Sequence, residues 1–278
     1  MSAQQDLSAQ QINPDEEQGK RPDAGTPYLN SSDPHAELRM LSAGTPINEA
    51  NAAVVLLHGR GLPADSVLPL WKPLSRPGVA YIAPEAAGKT WYPHSFLAPR
   101  ETNEPALGSA LRALDRVLDD LASVGIPPER TLLFGFSQGA CVVVEYVVRR
   151  PKRYGGVGAL IGGLFGPMGT ALEYPGSLDG TPVFLGTSDP DGWVPPERVR
   201  ETGQVLGRMG ARVDLRIEPD AGHVVTQAGL GGVRALVERL ARTSAPEPRL
   251  PWTPDRAASR PARGRVADRR RRIRPSGT

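Results

Sequence analysis

The stretch Thr131-Leu132-Leu133-Phe134-Gly135-Phe136-Ser137-Gln138-Gly139-Ala140-Cys141-Val142-Val143-Val144 reads as a buried strand, a corner carrying a serine, and then a helix. Its centre, Gly135-Phe136-Ser137-Gln138-Gly139, is a G-x-S-x-G pattern. Small residues two before and two after the serine let strand and helix approach closely while the serine sits in a strained turn. Five residues of this kind recur by chance, and a tight strand-to-helix turn with an incidental serine is the plain alternative. The setting favours chemistry, because an apolar β-type run precedes the corner and an apolar helical run follows it. Ser137 is therefore the candidate nucleophile.

Strands and helices alternate outward from this point. Ala52-Ala53-Val54-Val55-Leu56-Leu57 is a continuous apolar run, as expected of a central parallel strand buried on both faces, and it opens into His58-Gly59-Arg60-Gly61. A glycine loop after an early strand lets the backbone approach a reacting oxygen and supply one N–H to it, although a plain strand-helix turn would look the same. Val79 to Ala83 is the next strand, and Ala36 to Leu41 alternates weakly enough to be a short edge strand. Leu107, Leu111, Leu114, Leu118 and Leu121 recur at steps of four and three, which predicts an amphipathic helix from about Pro105 to Val124. Strands at Val157–Ile161, Pro182–Gly186 and Arg212–Ile217, with helices at Pro195–Met209 and Gln227–Leu240, continue the alternation. This is the pattern of an open, mostly parallel α/β sheet with helices on both faces.

A serine nucleophile needs a base, and the base needs an acid to fix its tautomer. The chain has 4 histidines. His35 falls in a polar N-terminal stretch, His58 belongs to the glycine loop, and His94 precedes the nucleophile. His223 follows the last strand in the glycine-flanked loop Asp220-Ala221-Gly222-His223, and the order serine, acid, histidine makes it the candidate base. The acid should follow the strand Pro182–Gly186, where Asp189 and Asp191 both stand in a turn-rich segment. Spacing does not choose between them. Trp91 and Tyr92, with Phe96, lie on a loop at the carboxyl edge of the sheet and are candidate pocket walls, as is Trp193 beside the acid loop; core packing of a long loop is the other reading.

The 278 residues carry a formal net charge of +3, unevenly spread. From Met1 to Met40 seven acids face three bases, and from Ser244 to Thr278 ten arginines face three acids, so the segment between is close to neutral. The body then offers no footprint for nucleic acid, and the high isoelectric point comes from the Arg-rich tail. Residues 1–35, polar and broken by four prolines, are expected to form a disordered arm, 36–243 the folded domain and 244–278 a disordered Arg/Pro-rich tail. The single cysteine, Cys141, excludes an intramolecular disulfide. The N-terminus lacks the apolar core of a signal or a membrane span, so a cytoplasmic protein without a transmembrane segment is expected.

Together, Leu57-His58-Gly59-Arg60-Gly61, Ala83-Pro84 with Trp91-Tyr92-Pro93, the elbow pentapeptide, the Asp-x-x-Val-Pro of Asp191 to Pro195, and Gly222-His223 resemble the phospholipase/carboxylesterase family of α/β-hydrolases, which includes the acyl-protein thioesterases. The similarity runs from about Ala36 to Arg242. It implies a compact α/β-hydrolase fold without a large lid, acting on carboxylic esters or thioesters through an acyl-enzyme, with no cofactor and no metal. Carried over by motif, Ser137 is the nucleophile, His223 the base, Asp191 the acid, and the N–H groups of Arg60 and Gln138 form the oxyanion hole. The expected partner is a small acyl ester, with a homodimer as the candidate assembly. A dienelactone-hydrolase-like or peptidase activity is the rival within enzymes, and a non-catalytic ligand-binding homologue the rival outside them.

Overall fold

The computed structural model describes residues 32–244, and the bulk of the expected arm and all but the first residue of the expected tail lie outside these. Seven strands form one sheet in the order β1-β3-β2-β4-β5-β6-β7. They are β1 (Arg39–Gly44), β2 (Ala52–Leu57), β3 (Val79–Glu85), β4 (Thr131–Phe136), β5 (Gly156–Leu160), β6 (Pro182–Asp189) and β7 (Arg212–Pro219). Only β1 runs antiparallel to its neighbour. Every residue of β2 and β4 is buried, as their uninterrupted apolar sequences require, whereas edge strand β7 alternates Val213, Leu215 and Ile217 with Arg212, Asp214 and Arg216.

The helices are α1 (Trp71–Leu74), α2 (Ala106–Ser123), α3 (Gln138–Arg149), α4 (Pro196–Arg208) and α5 (Gln227–Thr243). Helices α3 and α5 both pack on β4 and β5, while α3 also packs on α2 and α5 on α1, so the two pairs cover opposite faces. The five leucines predicted to form the apolar stripe of α2 are all buried. Each contributes about 1.5–3 kcal/mol in burial free energy before the entropy of ordering is counted. Helix α3 is buried from Gln138 to Val148, which explains its lack of a polar stripe.

Three expectations shift. Strand β1 starts at Arg39 rather than Ala36, because Asp33 to Ala36 close a turn in which the Ala36 N–H bonds the Asp33 carbonyl. His35, expected in the arm, is fully buried. The strand-helix alternation is also broken at two connections, since residues 45–51 between β1 and β2 and residues 161–181 between β5 and β6 contain no helix. Gly162, Gly163, Gly166, Pro167, Gly169, Pro175 and Gly176 interrupt any helical run there. The segment instead starts against α3, where a Cβ on Gly162 would stand 2.5 Å from that of Ala140, and runs on against α4, where one on Gly163 would stand 2.8 Å from Arg198 Cγ.

Candidate active site

Ser137 occupies the corner between β4 and α3 with φ 52° and ψ −118°, a conformation L-residues rarely adopt. Close backbone contacts impose it. A Cβ on Gly135 would lie 2.3 Å from the Gly139 carbonyl oxygen, and one on Gly139 would lie 2.4 Å from the Leu57 and 2.7 Å from the His58 carbonyl oxygens. The Ser137 N–H donates to Leu160 O at 2.9 Å, and its carbonyl accepts the first helical bond from Cys141 at 3.1 Å.

The side chain of Ser137 meets a chain of two further groups. Its Oγ is 2.8 Å from His223 Nε2, and His223 Nδ1 is 2.9 Å from Asp191 Oδ2. The carboxylate can only accept, so Nδ1 carries the proton and the Nε2 lone pair faces the serine hydroxyl. Asp191 Oδ1 accepts from the N–H groups of Trp193 and Val194, both at 2.8 Å. Burial of the Asp191 carboxyl opposes ionisation, but the His223 hydrogen bond and charge and the two N–H donors outweigh it and hold the carboxyl below its usual range. Asp189, the other candidate, has a half-exposed side chain whose recorded cationic neighbour is Arg200 at 3.9 Å. The two loops are held together at their roots, where the Asp220 N–H donates to Asp189 O and the Gly222 N–H to Ser188 Oγ.

The glycine loop lies directly beside the serine: a Cβ on Gly59 would come within 3.5 Å of Ser137 Cβ. Among the described residues, the N–H groups of Arg60 and Gln138 have no recorded acceptor. Their side chains are fully engaged in support. The Arg60 guanidinium donates to Pro93 O at 2.9 Å and His94 O at 2.8 Å and stacks over Tyr92. The Gln138 amide accepts from the Trp91 N–H at 2.8 Å and donates to Tyr92 O at 2.7 Å.

The aromatic candidates divide. Trp91 is fully buried, its indole N–H donating to His58 O at 3.0 Å, and Tyr92 is buried edge-on against Phe165. These two are core of the loop rather than open pocket walls, because their polar atoms and backbone serve as anchors for it. Trp193 is partly exposed beside Asp191. A small cavity behind the His223 loop is walled by Thr187, Ser188, Glu218 and Thr226 among others and does not include Ser137. Sequence reading missed the side-chain role of Gln138, for which a glutamine adjoining the serine was the one available sign, and it missed the part played by His35, for which the sequence carries no sign.

The sequence profile of the phospholipase/carboxylesterase family matches residues 41–240. The chain belongs to this family. The crystal structure of a family member from Dyadobacter fermentans DSM 18053 is 38% identical and superposes with a TM-score of 0.69 over 73% of this chain and 97% of that one. Esterase PE8 is 27% identical, with a TM-score of 0.62 over 74% of this chain and 100% of that chain. Among curated relatives, carboxylesterase SOBER1 of Arabidopsis thaliana is 22% identical over 51% of this chain and 62% of its own length. Acyl-protein thioesterase 1 of Cryptococcus neoformans is 29% identical over 42% of this chain and 56% of its own. The matches therefore span less than two thirds of these curated relatives. The α/β-hydrolase fold expected for the family, a mostly parallel sheet with helices on both faces, is the one found, with seven strands and, among the described residues, no large lid. Among the described residues no helix is long and apolar enough to cross a membrane.

Proposed function

We propose that this protein is a serine carboxylic-ester hydrolase acting through an acyl-enzyme, with Ser137 as nucleophile, His223 as general base and Asp191 as the acid that orients it. The observation that carries the proposal is the continuous run from Ser137 Oγ through His223 to Asp191, with both links under 3 Å. As Ser137 Oγ bonds to the acyl carbon, its proton passes to His223 Nε2, and Asp191 stabilises the imidazolium. The carbonyl oxygen becomes an oxyanion held by the free N–H groups of Arg60 and Gln138, each worth on the order of 3 kcal/mol of barrier. Collapse of the tetrahedral intermediate breaks the acyl–oxygen bond, and His223 returns its proton to the departing alcohol. A water then repeats the sequence on the acyl-enzyme, releasing the acid and regenerating Ser137. A thioester follows the same path with a thiol as leaving group. The substrate is a small acyl ester or thioester, and the catalytic body, expected to span residues 36–243, takes in the buried His35 as well.

The deciding experiment is Ser137→Ala with two readouts, covalent labelling by a fluorophosphonate and hydrolysis of p-nitrophenyl acetate. Loss of labelling together with a fall of 10³-fold or more in kcat is expected, given the residual rates that oxyanion binding alone supports. Turnover surviving in the variant would move the chemistry elsewhere. A wild-type chain that neither labels nor hydrolyses would make it a binding protein on the hydrolase scaffold.

A further inference from the structure

Both proposed oxyanion donors hang on one residue. The Trp91 indole N–H holds the carbonyl of His58, two residues before Arg60, and the Trp91 main-chain N–H holds the side chain of Gln138. The loop also takes the Arg60 guanidinium on Pro93 O and His94 O. Strand β2 and helix α3 thus deliver their donors to the same point only while the Trp91–His94 loop keeps its place.

Buried Asn103 fastens the far end of that loop, accepting from the His94 N–H at 2.8 Å and donating to Ser95 O at 3.0 Å, and its near end is held by a residue from outside the part of the chain that the family profile matches, residues 41–240. His35 Nε2 is 3.0 Å from Trp91 O, and the Ala87 N–H donates to His35 Nδ1 at 3.1 Å. The carbonyl fixes Nε2 as the protonated nitrogen, so one neutral imidazole ties the start of the loop at Trp91, as donor, to the segment leading into it at Ala87, as acceptor. The His35 and His58 rings lie on Trp91 at centroid distances of 5.6 and 5.1 Å. The segment behind His35 is itself tied to α2. The His35 N–H donates to Ser109 Oγ at 2.8 Å, Arg116 donates to His35 O at 2.6 Å, and Asp33 accepts from Ser109 and Arg112. No bond in this set touches Ser137 or His223.

We propose that Ser32–His35 is a strap that sets the oxyanion hole, with His35 and Trp91 as positioning residues that act through the His58 carbonyl and the Gln138 side chain. The proposal rests on the assignment of Arg60 and Gln138 as oxyanion donors. Such a residue should influence the transition state and leave ground-state binding alone, because the N–H groups pay off only when charge develops on the oxygen. A plain core histidine would instead lower stability and leave each folded molecule with its normal rate.

The test uses the full chain with His35→Ala, His35→Gln, Trp91→Phe and the double variant His35→Ala/Trp91→Phe. Rates are normalised to sites titrated by the fluorophosphonate, so only folded, competent molecules count. Since misplacement of a catalytic group by about 1 Å can cost up to 10²-fold, His35→Ala and Trp91→Phe are each expected to lower kcat roughly tenfold with KM within about twofold. Glutamine, with one donor and one acceptor on its amide, should recover most of the loss at position 35. The double variant should be no slower than the slower single, because both substitutions release the same loop. Unchanged kcat per titrated site in His35→Ala or in Trp91→Phe, a His35→Gln variant as slow as His35→Ala, or losses that multiply in the double variant, would overturn the strap. If His35→Ala does not fold, His35→Phe, which fills the site but makes neither bond, takes its place with the same expected loss. Failure of the hydrolase assignment itself shows separately, as Ser137→Ala retaining label or turnover.

Discussion

At the residue scale the choice between two aspartates is one of surroundings rather than distance along the chain. Asp191 offers Oδ2 to His223 and Oδ1 to two backbone N–H groups, so both carboxylate oxygens are satisfied inside the protein. Asp189, two residues earlier at the end of β6, points its carboxylate to solvent near Arg200. Replacing Asp191 with Asn substitutes an amide that can present a donor to Nδ1 and so select the wrong tautomer, which in a Ser-His-Asp site costs about 10⁴-fold in kcat. Asp189→Asn should stay within about threefold of wild type. Steady-state kinetics of the two variants on one p-nitrophenyl ester check this, and the opposite ranking would transfer the role to Asp189. Cys141, one turn beyond Ser137, is packing: it is buried, and burial pushes its thiol up to about 11, far from the reactive thiolate range.

At the scale of elements, the site depends on how closely β4, α3 and the end of β2 approach one another. The limiting position is Gly139, where an added Cβ would meet the Leu57 and His58 carbonyls at 2.4 and 2.7 Å. Those atoms belong to the buried strand β2 and to the turn that carries Arg60, so relief requires one element to move. Gly139→Ala should therefore destabilise by about 1–3 kcal/mol, the usual range for overpacking, and should also reduce kcat because the displaced loop carries a proposed oxyanion donor. Thermal melts and kinetics on the same preparation test the two effects together. A variant with wild-type melting temperature and rate would show that the elements have room the geometry denies. Helix α3 has a second anchor of its own. Glu145, fully buried, is met by Arg149 at 2.7 Å, by Arg100 at 3.7 Å and by the Phe165 N–H at 3.3 Å, which fastens the helix-free segment after β5 onto the elbow helix.

At the scale of the whole molecule, two buried neutral histidines link stability to pH. Burial lowers the pKa of His35 below 6.5, opposed by the Trp91 carbonyl and Asp33 and assisted by His58 and Arg116. Burial likewise lowers that of His58, opposed by the Gly59 carbonyl and Glu85 and assisted by Lys89. Above about pH 6.5 both are neutral, folded or unfolded, and cost nothing. Below it the unfolded chain binds protons that the folded chain refuses, so stability should fall as pH drops from 6.5 toward the lowered folded values. Urea midpoints at pH 8, 6 and 5 should decrease in that order, and His35→Gln should flatten part of the decline; a flat profile in wild type would contradict the buried neutral pair. The sequence determined the sheet-and-helix alternation, the elbow at Ser137, His223 and the family motifs, because these are written in local periodicity and short fixed spacings. Tertiary structure decided that Asp191 rather than Asp189 lies beside His223, that Trp91 is buried as an anchor of its loop, and that His35 is buried. The reason is one of range. Each of these depends on contacts between segments dozens of residues apart, and a polar residue such as His35 carries no local mark of the partners that folding brings to it.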